Sequence, residues 1–338
     1  MMGGCGSKFA LLKKDPHDAS SGPKSVSHSG SKLAKGSAAR RLASYPSLPM
    51  DKNGPRVRGF VREYAYKRRE TMKRYLARAE RYLPMVKAIA KENGLPEEIG
   101  YLFMLESGAN PEARSPANAL GMWQFMPATA RNYGLRVDSW VDERLDPEKS
   151  TKAAMLYLKD LYGMFGCWRL ALSAYNSGEN KLNKVLCQED ANEYEEICSS
   201  RRLKRETREF WPRFQAMAQI AMNPRKYGFS PLRLRRYRGP KNEIMTVRGT
   251  YSLDTLAELV DVPTEQLAEI NPGLIRGMTP GRPHFYSLRL PLGKRMRLAK
   301  LLYRTPTDQA GDQIVHVVHR KKAPPSRPHK RQRISRLN

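Results

Sequence analysis

Long hydrophobic runs are missing from this chain of 338 residues. A membrane-spanning helix needs about 18 or more consecutive apolar residues, and no stretch approaches that, so no segment reads as a transmembrane helix. Cysteine is scarce: four residues exclude a disulfide-built miniprotein, and their spacing fits no zinc finger. Neither a metal nor a cofactor is expected. Acids are under-represented too, with 33 Asp+Glu against 61 Lys+Arg and a formal charge of +28. What the chain does hold is apolar side chain, 40% of residues with 9% aromatic, too much for disorder throughout. The length is enough for one large domain or two smaller ones with real cores.

The positive charge invites a nucleic-acid reading, and its placement argues against one. Residues 1–95 carry a net +14, residues 96–180 a net −3 and residues 181–338 a net +17. The basic excess lies on the flanks, while the middle, richest in aromatics and ordered-looking sequence, is slightly acidic. Such flanks give salt-dependent attraction to any polyanion, whether nucleic acid, anionic lipid or an acidic wall polymer. No specific nucleic-acid partner is expected.

Residues 1–55 read as disordered, rich in Gly, Ser, Pro and Lys with no sustained apolar period. Around Cys5 the sequence Met-Met-Gly-Gly-Cys-Gly-Ser resembles the cleavage site of a bacterial lipoprotein signal, without the charged and apolar regions that precede one. One reading puts the true start upstream, with a lipid anchor on Cys5; the other gives that cysteine no such meaning. From Val57 to about Asn93 the pattern is helical, with Pro84 expected to split it in two and Gly94 to close the second half. Leu95-Pro96-Glu97-Glu98 reads as a new helix start. Further helices are expected over 150–165, from Trp168, and over 207–223, with no strand before about Tyr227. After a basic linker (231–242) the texture becomes β-α-α-β over 243–294: strands at 244–247 and 285–290, helices at 252–260 and 263–270. Residues 295–338 are expected to be a basic, largely disordered tail.

The helix expected from Pro96 has an anomaly. Ile99, Leu102 and Phe103 form its buried stripe, and the next position on that stripe is Glu106. At about 100° per residue Glu106 falls within about 20° of Ile99. A carboxyl on a core-facing position is costly to ionise, so its pKa should rise. An acid still protonated near neutral pH is what glycosidic cleavage requires, because the leaving oxygen must receive a proton. The bland alternative is a glutamate at a frayed helix end before Ser107-Gly108. Two other clusters suit a sugar: Gly121-Met122-Trp123-Gln124-Phe125-Met126, and Ala174-Tyr175-Asn176-Ser177-Gly178. Sugars are bound by aromatic faces and neutral hydrogen-bonding groups. Each cluster also reads as core or helix cap.

Glu106-Ser107, Gly121-Met122-Trp123-Gln124 and Ala174-Tyr175-Asn176, in that order and spacing, resemble the three signature motifs of soluble-type, goose-lysozyme-like lytic transglycosylases, enzymes that cleave bacterial peptidoglycan. The stretches 140–147, 150–154, 206–208 and 224–228 are similar to the membrane-bound D branch of that family. The resemblance covers about 57–230. Leu256-Ala257, Val262-Pro263-Thr264 and Ile270-Asn271-Pro272-Gly273 resemble a LysM module, although Ser252-Leu253-Asp254-Thr255 replaces the usual Gly-Asp-Thr turn, which puts its sugar affinity in question. Val315-His316-Val317-Val318 resembles the opening strand of another such module. The implied fold is mainly α: a lysozyme-like all-α catalytic domain (56–230) plus a small β-α-α-β LysM-like domain, with disordered basic termini.

The resemblance also implies roles. Glu106 is the single acid and base cleaving between N-acetylmuramic acid and N-acetylglucosamine, leaving a 1,6-anhydro end. Tyr175 orients the Glu106 carboxyl, Ser107 and Gln124 position it and the substrate's acetamido group, Asn176 contacts sugar or supports its loop, and Met122 and Trp123 wall the cleft. The expected partner is the peptidoglycan glycan strand, bound by a monomer in the periplasm or cell envelope. Two alternatives stay open. A hydrolysing muramidase would need a second carboxylate, for which Asp138, Asp142, Glu143 and Asp146 are candidates, although Asp142-Glu143-Arg144 reads better as a structural ion-pair turn. A wall-binding protein with an idle site is the other. Cys187 and Cys198 could bridge in an oxidising envelope or stay as thiols.

Overall fold

The computed structural model describes residues 45–302, apart from 52–53, 236, 238–240 and 282–284. The chain separates into two compact units, one up to Lys241 and one from Asn242. Cys5 and Val315–Val318 lie outside the described residues.

The first unit is built from α1 (Pro55–Arg62), α2 (Arg69–Glu92), α3 (Leu102–Ser107), α4 (Pro127–Asn132), α5 (Pro147–Phe165), α6 (Trp168–Ser177), α7 (Glu179–Gln188), α8 (Tyr194–Ile197) and α9 (Arg205–Met222). Its only β-type pairing among the described residues is a few isolated bridges in the loops before α5. Leu83, Phe103, Trp123, Trp168 and Phe214 are fully or almost fully enclosed in a single core.

Three expectations need correction. Pro84 does not split its helix; α2 runs through it. Proline removes one backbone donor, but Leu83, Met85, Val86 and Ile89 are buried around it, and packing holds the helix together. The interruption comes earlier, where a π-type turn over Glu63–Lys67 ends with Arg68 N donating to Glu63 O at 2.7 Å. Nor does one α-helix start at Pro96: a 3₁₀ turn, Glu97–Tyr101, leads into α3. Finally, residues 45–51 are not a disordered leader. Trp168 Nε1 donates to Pro46 O at 2.8 Å, Gln215 Nε2 to Pro49 O at 3.1 Å and Gln219 Nε2 to Asp51 O at 3.3 Å. Leu48 is buried between those tethers. A strap without secondary structure is ordered because side chains of α6 and α9 satisfy its carbonyls.

The second unit pairs β1 (Asn242–Arg248) with β2 (Phe285–Pro291) antiparallel, Met245 opposite Leu288, with α10 (Leu253–Val260) and α11 (Thr264–Ile270) between them in sequence. The strands alternate, Met245, Val247, Tyr286, Leu288 and Leu290 facing inward. Ser252 accepts from Thr255 N at 3.0 Å and caps α10. A further helix, α12 (Arg295–Leu302), corrects the expectation of disorder from residue 295: its one apolar anchor, Leu298, is completely buried. Asn271 ties the unit together, its Nδ2 donating to Leu267 O and Arg289 O while its Oδ1 accepts from Arg289 N, all at 2.8–2.9 Å. Asn271→Ala removes the side-chain bonds to a half-buried backbone donor and acceptor of β2, and is expected to cost about 1–2 kcal/mol. Amide exchange along β2 in the full chain should accelerate accordingly; unchanged protection would contradict it.

Candidate active site

The site forms where α3 ends. Gly108 stops that helix in the left-handed region, φ 64°, where a Cβ would run into the Tyr75 ring. The two residues before it, Glu106 and Ser107, are therefore fixed in place. Ser107 Oγ lies 3.1 Å from Phe103 O and 2.9 Å from Met122 O, and accepts from Asn110 N at 3.1 Å. It pins the loop after α3 and the 121–126 loop to one point.

That second loop is unusually constrained. Gly121 sits at φ 83°, and a Cβ there would collide with the carbonyl of Arg144, so both backbone conformation and space call for glycine. Gln124 sits at φ 49°, a strained value for a residue with a side chain, while its Nε2 donates to Ala113 O at 2.9 Å and Gly121 O at 2.8 Å. Trp123 Nε1 donates to Thr151 Oγ1 at 2.9 Å. Tyr175, on α6, donates its hydroxyl to Trp123 O at 2.8 Å. Asn176 accepts from Thr207 Oγ1 at 2.8 Å, and its Nδ2 lies 3.5 Å from Glu206 Oε1, joining the end of α6 to the start of α9.

Glu106 is the outlier. Its Oε1 is sealed from solvent and has no hydrogen-bond partner. Burial, reinforced by the negative charge of Glu206, pushes its pKa up to about 8. The residue as a whole keeps some exposure. Beside it runs an aromatic row: the rings of Tyr133 and Tyr157 are 5.0 Å apart and those of Tyr157 and Tyr175 5.2 Å. Tyr157 donates to Glu179 Oε2 at 2.8 Å and Tyr133 to Asp160 Oδ2 at 3.0 Å. Burial raises the pKa of both phenols, which stay neutral donors.

The sequence-derived residues sort clearly. Ser107, Gln124 and Tyr175 all bond to the 121–124 loop, Asn176 bonds to Thr207 and Glu206 at the start of α9, and Glu106 is linked to Tyr175 and Glu206 electrostatically. Met122 and Trp123 are fully buried, so neither side chain walls a cleft; Met122 contributes its carbonyl to Ser107. Tyr175 gives its hydroxyl hydrogen to the Trp123 carbonyl, and its influence on Glu106 is electrostatic. The acids at 138–146 are all engaged structurally. Asp142 pairs with buried Arg144 at 2.7 and 2.9 Å, Glu143 with Lys149, Asp138 with Arg136 and two backbone amides, and Asp146 caps α5. Cys198 is a free thiol, so its bridge to Cys187 is not formed. Two residues escaped sequence reasoning. Tyr157 passed as one more apolar position of α5. Glu206 appeared only within a familiar triplet, although an acid in a helix's first turn was a usable signal.

Comparison with protein families matches residues 84–198 to the Transglycosylase SLT domain and residues 243–305 to the "Lytic transglycosylase MltD, LysM-like domain". Residues 84–198 are an SLT domain. The SLT domain contains Glu106, Gln124 and Tyr175, whereas Glu206 lies beyond its matched end. Membrane-bound lytic murein transglycosylase D of Escherichia coli K12 is 38% identical over 152 residues, which are 45% of this chain and 34% of that protein. Peptidoglycan transglycosylase gp16 of Escherichia phage T7 is 47% identical over 79 residues, 23% of this chain and 6% of that protein. The chain thus matches about a third of the first relative's length. Among solved structures, the 70 kDa soluble lytic transglycosylase of Escherichia coli superposes with a TM-score of 0.35 at 23% identity, covering 46% of this chain and 26% of that one.

Because Glu206 opposes ionisation of Glu106, Glu206→Gln is expected to lower the Glu106 pKa while leaving it above the ordinary carboxylate range, since burial is the larger cause. A ¹³C-carboxyl titration of Glu106 measures this without turnover; an unmoved midpoint would exclude the coupling.

Proposed function

We propose that this chain is a peptidoglycan lytic transglycosylase. It cleaves the β-1,4 bond between N-acetylmuramic acid and N-acetylglucosamine and closes a 1,6-anhydro ring, with Glu106 as its only acid and base. The observation that carries the reading is the buried, unpartnered Glu106 oxygen with a pKa near 8, in an SLT domain. A carboxyl that holds its proton at neutral pH can give it to the glycosidic oxygen as the C1–O bond breaks. The substrate's acetamido group stabilises the resulting cation. Glu106, now a carboxylate, takes the proton of the C6 hydroxyl as O6 bonds to C1, and the carboxyl is regenerated with no water consumed. The outcome depends on holding O6 near C1 while excluding water. Ser107, Gln124 and Tyr175 act by fixing the 121–124 loop beside Glu106, Asn176 holds the end of α6 to α9, and the half-buried Tyr133 and Tyr175, backed by buried Tyr157, offer aromatic surface for a sugar.

Residues 56–230 form the catalytic part in this reading, and the LysM-like part adds wall affinity. The protein works in the cell envelope, as a monomer held there by its basic flanks and by a lipid on Cys5. One observation favours the hydrolytic alternative: Glu206 supplies a second carboxylate close enough to perturb Glu106. Digestion of purified sacculi, with muropeptide ends weighed by mass spectrometry, separates the two. Anhydro ends from the wild type and none from Glu106→Gln support the proposal. Ends heavier by one water convert it to a muramidase with Glu206 as partner, and binding without cleavage reduces it to a wall-binding protein.

A further inference from the structure

Away from Glu106, α1 and the start of α9 enclose a cavity of about 300 Å³ lined by Arg56, Phe60, Glu63, Arg205, Arg208 and Glu209. Cys198 lines it as well. Together with Arg56 it also lines a cavity of about 420 Å³ that reaches Trp211 and Gln215, so the two adjoin. The carboxylates of the first cavity are already engaged: Glu63 with Arg68 at 2.8 Å, and Glu209 with Arg205 at 2.6 Å and Arg213 at 2.8 Å. Arg56 and Arg208 have no acidic partner among the described residues. Arg208 makes one long hydrogen bond, from Nη1 to Ser199 O at 3.4 Å, and its Nε is buried with no acceptor. The Nε of Arg213, whose guanidinium lies 4.9 Å from the Phe60 ring centre, is in the same state. Both Nε atoms are closed to water and therefore to a ligand, so an anion in the cavity would be met by the Nη groups of Arg56 and Arg208, the lining arginines without an acidic partner among the described residues.

We infer that this cavity binds a carboxylate, and, resting on the reading of the substrate as peptidoglycan, that the carboxylate belongs to the peptide of the wall polymer. The planar fork of a guanidinium matches the two oxygens of a carboxylate. Glu63 and Glu209 in the wall disfavour a dianion such as phosphate more than a monoanion. Phe60 gives the ligand's carbon skeleton an apolar surface, and the adjoining cavity leaves room for a short extended peptide.

Cys198 provides a reporter inside the site that needs no turnover. The probe is a synthetic tripeptide of L-alanine, γ-linked D-glutamate and L-lysine with free carboxylates, compared with its fully amidated form. Alkylation of Cys198 by iodoacetamide in the full chain is followed by peptide mass spectrometry. The free acid should slow alkylation of Cys198 and leave Cys167 unaffected, and the amidated peptide should do neither. Arg208→Gln and Arg56→Gln should each raise the concentration needed by roughly ten-fold, the loss of one charge-assisted hydrogen bond. The two arginines lie on different helices, so a folding defect in one variant leaves the other as the test. Equal protection by the amidated peptide, equal protection by inorganic phosphate, or no protection at all overturns the assignment. Protection with uncleaved sacculi removes the proposed reaction and leaves the cavity assignment standing, while digestion without protection does the reverse.

Discussion

The Glu106→Gln variant is expected to lose sacculus cleavage by about a hundred- to ten-thousand-fold, the range for removing a general acid–base group, and to become more stable at neutral pH. The second effect follows from the sign of the shift. In the folded chain the carboxyl keeps its proton until about pH 8, while in the unfolded chain it ionises near its ordinary value of 4.5. Between those values the folded state holds one more proton than the unfolded state, so wild-type stability falls as pH rises, at up to about 1.4 kcal/mol per pH unit. Above about pH 8 the penalty is fully present. The variant has no such group, and its melting temperature should fall behind the wild type's only at acid pH. Parallel melting curves from pH 4 to 9 test this. Curves that stay parallel across the range would show that Glu106 does not titrate late, and would remove the main support for its role as the acid.

Arg144→Met is expected to cost about 3–5 kcal/mol, because it leaves Asp142 as an uncompensated buried charge. Arg144 is 3% exposed and Asp142 6%. Beyond the ion pair, Arg144 Nη1 donates to Asn118 O at 2.8 Å and Phe125 O at 3.0 Å. These are the two ends of the loop that carries Gly121 and Gln124. The substitution should therefore lower the melting temperature by about 10 °C or more and also reduce turnover at temperatures where the chain is still folded. Adding Asp142→Asn removes the stranded charge and should recover part of the stability while recovering none of the turnover, since the two carbonyls stay untethered. A single variant within about 1 kcal/mol of wild type would contradict this account.

The anomaly of Glu106 was legible in the sequence for a reason that survives a change in detail. The stripe argument assumed one α-helix from Pro96, and the structure inserts a 3₁₀ turn before α3. Glu106 still meets the core, because Leu102 and Phe103 lie in the same α-helical segment and fix its rotation. Pro84 misled because proline's local cost was weighed without the packing of Leu83, Val86 and Ile89 around it. Met122 misled because a motif names residues without saying whether side chain or carbonyl does the work. The order of residues 45–51 was invisible, since it comes from donors on Trp168, Gln215 and Gln219, over a hundred positions away. Leu298 gave too little pattern, one apolar anchor among bases, to reveal α12.

The direction of one hydrogen bond bears on which form of the acid the protein prefers. A phenol carries one hydrogen, and Tyr175 spends it on the Trp123 carbonyl. That hydrogen is then not available to Glu106, whose charge adds to burial in raising the phenol's pKa. Any bond between the two must run from the carboxylic acid to the phenol, and it vanishes when the acid ionises. A bond of that kind would favour the protonated acid over the carboxylate. In the proposed reaction that asymmetry would favour return of the proton to Glu106, and it is set by the Trp123 carbonyl, which takes the tyrosine's one hydrogen.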